Sequence, residues 1–184
     1  MYYRVLEFNI LLTQMIWFEY LQFIVYLQQN QCFMEFSPTK LNAFLFFKLP
    51  SAFWCGVRVK SISPEKCVAS VKHQWLNQNP FNSMYFAVQA MAAELTTGAL
   101  VMYQIKKSGK NISMLVSNNK GNFTKKAKGR ITFTCNQGHL IEEAIQKTIA
   151  SGEGETLWLK SIGVDEKGDL VSEMDFEWSV RLKQ

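Results

Sequence analysis

Apolar and polar residues alternate with a period of two in several stretches of the chain, and these predict strands. Over residues 66–76, Cys67, Ala69, Val71, His73 and Trp75 fall on one face, and Lys66, Ser70, Lys72 and Gln74 on the other. A second strand is expected over 53–62, and the link "SISPEK" reads as a turn, so the two form a hairpin. Near the end of the chain, Met174, Phe176, Trp178, Val180 and Leu182 alternate with Glu173, Asp175, Glu177, Ser179 and Arg181. The Gly-containing turn "DEKGD" joins this half-buried strand to "ETLWLKSIGV". "ISMLVSN" (112–118) and "AKGRITFTC" (127–135) add two more strands. A helical period appears after Ser37, an N-cap followed by Pro38 at the first helical position, with apolar residues at 41, 44, 45 and 47 before Pro50 stops the helix. Residues 139–150 make another short helix.

The longest apolar run, Ser83 to Ile105, has Glu94 as its sole charge and repeats small residues at Ala87, Ala90, Ala93 and Gly98. A helix apolar nearly all round is expected to be enclosed by other structure, so a sheet must wrap it. Hairpins dominate and no βαβ repeat occurs, which makes the class α+β, with an antiparallel sheet around a long central helix.

A chain of 184 residues, 48% hydrophobic and 14% aromatic, buries one core rather than two. The domain proper is expected over 34–184. Residues 8–27 are long enough to span a bilayer, yet Asn9, Thr13, Gln14, Glu19 and Gln22 point around a helix in all directions and leave no clean lipid face. Three readings stand for the hydrophobic N-terminal extension, residues 1–33: a helix docked on the domain or on a partner subunit, a membrane-associating segment, or a non-native extension upstream of a start at Met34. Membrane association is expected only through 8–27.

The net charge of +5 comes from scattered basic residues, so a nucleic-acid partner is not indicated. Cys32, Cys55, Cys67 and Cys135 form no CxxC pair, and three lie on strand-like segments, which fits reduced thiols in a cytoplasmic protein. His73 and His139, with no cysteine at ligand spacing, give no metal site. No Gly-x-Ser-x-Gly, P-loop or dinucleotide fingerprint occurs.

The loop before the long helix reads Asn79, Pro80, Phe81, Asn82, Ser83, and the helix then carries Ala93, Glu94 and Gly98. This pattern, with the expected architecture, resembles the hotdog fold of acyl-coenzyme A thioesterases over roughly residues 36–183. It is most similar to an uncharacterised thioesterase-like group related to the phenylacetate-type enzymes. In the latter an Asn precedes the helical carboxylate by fifteen residues, as Asn79 precedes Glu94 here. Those enzymes also carry His-Gly-Gly at the helix start, whose glycine amide binds the thioester carbonyl; Met84, Tyr85 and Phe86 stand in its place.

The resemblance implies a homodimer or dimer of dimers hydrolysing an acyl-coenzyme A, with no cofactor beyond the coenzyme A of the substrate. Glu94 would act as base or nucleophile, Asn79 would position it, and the Phe86 amide would bind the oxyanion. Ser83, Lys125, Lys126 and Lys128 would contact substrate, the lysines through coenzyme A phosphates. Phe86 and Glu94 are eight residues apart, about 12 Å along a helix. One helix therefore cannot supply both base and oxyanion donor, and the donors must come from a twofold-related copy. Other readings stand beside these. Glu94 can be a carboxylate satisfied by an internal cation, Asn79 a helix cap, and the stretch 118–130 a solvated hairpin. The whole domain can be a non-catalytic acyl- or partner-binding module.

Overall fold

A computed structural model describes residues 36–183; the readings of 1–33 lie outside the described residues, as does Cys32. Helix α1 (Pro38–Lys48) starts as expected: the Ser37 side chain accepts from the Lys40 amide, Pro38 opens the first turn, and Leu41 and Leu45 face inward. Pro50 ends α1 but also opens a five-residue helix, α2 (Pro50–Trp54), because a proline at the first helical position lacks only an N–H that would be unpaired anyway. The expected strand over 53–62 is accordingly shorter, β1 (Arg58–Ile62), and Cys55 caps α2 instead of lying on a strand.

The next elements are β2 (Cys67–Lys72), a 3₁₀ turn (Trp75–Asn77), the long helix α3 (Phe86–Ser108), β3 (Ile112–Phe123), β4 (Arg130–Cys135), α4 (Gly138–Ser151), β5 (Glu155–Val164) and β6 (Leu170–Leu182). The six strands form one antiparallel sheet in the order β1-β2-β4-β5-β6-β3. The class is α+β, as the patterning implied. Further expectations change. β2 ends at Lys72, so Trp75 does not continue its inward face but stands 81% exposed on the 3₁₀ turn. The stretch 118–130 is not a hairpin either: its first half extends β3 at the sheet edge, and the chain then crosses to β4 beside β2. Lys128 thus lies in this connection, not on a strand.

The core lies between the sheet and α3. Ala69 and Val71 of β2, Ile131 and Phe133 of β4, Leu159 of β5 and the β6 series Met174, Phe176, Trp178 and Val180 are buried, facing Val88, Ala92, Leu95, Ala99 and Leu100. The small residues of α3 are explained by close approach: a Cβ at Gly98 would lie 3.1 Å from the Trp178 ring. Polar residues on this face pair off, Thr96 with Ser161 at 2.8 Å and Thr97 Oγ1 accepting from Trp178 Nε1 at 3.0 Å. The sheet covers one side of α3 only. Ala87, Ala90, Met91 and Glu94 form a half-exposed strip on the other, so the helix is less enclosed than an all-apolar run implied. Cys67 and Cys135 sit opposite each other across β2 and β4 as buried free thiols. Burial pushes them up to about 12 and about 11.

Among the described residues, no helix is long and apolar enough to cross a membrane, and no cluster of His, Cys, Asp or Glu suits a metal ion.

Candidate functional site

The loop before α3 is organised by Asn79. Its Oδ1 accepts from the Phe81 amide at 2.9 Å and the Ser83 amide at 3.3 Å, and its Nδ2 donates to Ser83 Oγ at 3.0 Å. The Asn82 amide returns to the Asn79 carbonyl at 3.1 Å, and Asn82 takes φ 55°, a left-handed value that Asn tolerates better than most residues. Met84 is pinned by its amide to the Ala127 carbonyl at 2.9 Å and buries its side chain in the core. The chain therefore enters α3 from a braced loop.

No side chain caps α3. The Val88 and Gln89 amides reach back to the Tyr85 carbonyl, whereas those of Phe86 and Ala87 have no acceptor among the described residues. Two N–H groups at the positive end of a 23-residue helix are thus open to a ligand.

Phe86, at this end of α3, borders a cleft of about 420 Å³ between the 79–86 loop, the start of α3 and the 123–127 crossing segment. Phe81, Tyr85, Phe86 and Phe123 line it, and Lys125 and Lys126 stand at its edge. Five expected site residues, Asn79, Ser83, Phe86, Lys125 and Lys126, meet here. Their states differ. Ser83 is buried in the Asn79 network, while Lys126 is exposed and forms no ion pair among the described residues. Lys125 is held by Asp165 and Asp169, at 2.6 and 2.8 Å, which raises its pKa and ties the crossing segment to the β5–β6 turn.

Glu94 and Lys128 do not line the cleft. Glu94 sits eight residues further along α3 with its Oε1 folded over Gly98, and no cation or hydrogen-bond donor of the described residues engages the carboxylate. Burial raises its pKa above the ordinary 4.5. The alternative of an internal counter-ion for Glu94 finds no partner among these residues.

Gln89 is the cleft residue that sequence reasoning passed over. It is 4% exposed at the base of the cleft, accepts from Ser172 Oγ at 3.1 Å, and makes only a long Nε2 contact, 3.5 Å, to the Met84 carbonyl. Its signal was an amide in the first turn of an apolar helix; attention to charge alone missed it.

The family described as a domain of unknown function, DUF4442, matches residues 39–180. The chain belongs to that family. Among solved structures it is similar to a protein of unknown function from Pseudomonas aeruginosa described as a probable thioesterase (22% identity, TM-score 0.68, covering 79% of this chain and 97% of that one). A putative thioesterase from Shewanella oneidensis aligns at 12% identity and TM-score 0.68, covering 82% and 100% of the two chains. A thioesterase from Haemophilus influenzae aligns at 13% and 0.61, covering 81% and 93%. No curated protein matches the chain. The fold of this DUF4442 domain is thus the hotdog fold of thioesterase-like proteins, as the loop and helix pattern implied.

Proposed function

We propose that the protein is a homodimeric thioesterase acting on acyl-coenzyme A in the cytoplasm, with no cofactor beyond the coenzyme A of its substrate. Glu94 of one protomer removes a proton from water, and the water oxygen bonds to the thioester carbonyl carbon. The carbonyl oxygen takes the negative charge and is held by the open amide at Phe86 of the partner subunit. Collapse of this intermediate breaks the carbon–sulfur bond, and the thiolate leaves to be protonated. Lys126 and Lys128 bind coenzyme A phosphates as exposed point charges, while Lys125, already paired, mainly shapes the cleft edge. Asn79 and Ser83 hold the loop that aims the amides.

The observation that carries this reading is Glu94: a half-buried carboxylate with no partner among the described residues and a raised pKa, on a helix whose first amides stand open. Burial without a compensating cation holds its pKa above that of a free carboxylate, the direction that strengthens a general base. The test is thiol release from a panel of acyl-coenzyme A thioesters. Glu94→Gln is expected to lower kcat about a hundredfold or more, and activity unchanged by it would remove the mechanism.

A second reading, a non-catalytic acyl- or partner-binding module, is favoured by one feature. Phe86 places a large side chain, 55% exposed, where the resembling enzymes have glycine. Binding of a non-hydrolysable acyl-coenzyme A analogue without turnover of any thioester in the panel would select it.

A further inference from the structure

An exposed aromatic cluster away from the cleft lies on α1 and α2. Leu41 and Leu45 fill the buried side of α1, so the apolar residues that end it, Phe46 and Phe47, have no core left to enter. Phe46 packs on Phe47 at 4.9 Å between ring centroids and on Trp54 of α2 at 6.4 Å. Phe47 remains 61% exposed and Trp54 63%. The 3₁₀ turn is tied to the end of α2, where Asn77 Nδ2 donates to the Cys55 carbonyl at 2.9 Å, and its Trp75 is also exposed.

The same part of the chain has a one-sided charge. Residues 36–64 contain Lys40, Lys48, Arg58 and Lys60 and no acidic residue. The three lysines are exposed and form no ion pair among the described residues. Arg58 is engaged within the fold instead. It lies 3.7 Å over the Phe53 ring and donates to the Phe53 and Val57 carbonyls, bracing the end of α2.

Exposed Phe and Trp together with unpaired lysines, on a stretch of chain (36–64) that itself carries no acidic residue, combine the two attractions that seat a protein at a bilayer surface. We propose that the α1–α2 face docks on an anionic phospholipid bilayer, with Phe47 and Trp54 entering the headgroup boundary and Lys40, Lys48 and Lys60 meeting lipid phosphates. A neutral apolar groove on another protein would use the rings but leave this charge without a counterpart.

The experiment is flotation of the full chain with vesicles of phosphatidylcholine alone and of phosphatidylcholine mixed with phosphatidylglycerol. Binding is expected to the mixed vesicles and to weaken as salt is raised. Phe47→Ser or Trp54→Ser is expected to weaken it about tenfold, and Lys48→Glu or Lys60→Glu about fivefold each. All four side chains are exposed, so the variants should keep the wild-type Tm by circular dichroism. Vesicle binding that none of the four changes would be carried elsewhere, for example by residues 8–27, and would overturn the proposal. So would no binding to either vesicle, or aromatic substitutions that alter only the elution volume in size-exclusion chromatography, which would make the face a contact between copies.

Discussion

On the proposed mechanism, Glu94 couples function to stability in a way that titration reads. Its folded pKa lies above the ordinary 4.5, so the folded protein holds the proton more tightly than the unfolded chain does. Stability is therefore lost as pH rises from 4.5 through the raised value, and the penalty is complete above it. Glu94→Gln should raise Tm at neutral pH, with the gain disappearing below the pKa of a free glutamate, as differential scanning calorimetry across pH would reveal. Hydrolysis by the wild type should fall as pH drops through the same raised pKa. A Tm gain joined to a loss of turnover marks a group kept for chemistry and not for the fold. Gln89 gives the opposite signature. Gln89→Leu leaves Ser172 Oγ buried without its acceptor and should cost about 1–3 kcal/mol in chemical denaturation. Adding Ser172→Ala removes the orphaned hydroxyl, so the double variant should recover part of that loss.

At the scale of elements, the turn between β1 and β2 is locked to the start of α4. The Gly138 amide donates to the Glu65 carbonyl, the His139 amide to Glu65 Oε2, and Gln104 of α3 donates to the Pro64 carbonyl at 2.9 Å. A Cβ on Gly138 would fall 2.0 Å from that carbonyl oxygen. Gly138→Ala should therefore cost about 3 kcal/mol by denaturation, whereas Gly152→Ala, at φ +77° with open space around it, should cost about 1 kcal/mol for the backbone conformation alone. The contrast between strands and connections also explains what the sequence could reveal. The period-two pattern identified β6 and its inward set Met174, Phe176, Trp178 and Val180, because burial on one face acts on every second residue. It misled at Trp75, where the pleat ends and Asn77, bonded to the Cys55 and Lys72 carbonyls, turns the chain. Sheet order was out of reach: that β3 pairs with β6 and not β4 depends on contacts across some sixty residues, which local periodicity does not encode. The loop motif located Asn79 and Ser83, but their mutual hydrogen bonds, and the crossing segment that closes the cleft, are three-dimensional facts.

At the scale of the whole molecule, the spacing of Glu94 and the open amides sets the hardest test. Eight helical residues separate them, about 12 Å, so a base and an oxyanion donor from one α3 cannot serve one thioester. In the half-exposed strip Ala87, Ala90, Met91 and Glu94, the two alanines would let a second α3 approach closely. If sites form across that contact, two inactive variants should repair each other. Glu94→Gln removes the base. Phe86→Pro removes one amide at the first helical position, where proline is well tolerated and the helix should persist. Phe86→Ala, which keeps the amide and loses the ring, separates the backbone effect from that of the side chain. Each variant alone should be inactive. After equal amounts are mixed and subunits exchange, half the dimers are mixed, and each holds one site with both Glu94 and an intact amide. Thiol release should then return to about a quarter of the wild-type rate. A mixture that stays inactive while native mass spectrometry detects mixed dimers would put base and donor on the same subunit, which the helix spacing forbids, or leave Glu94 outside the chemistry.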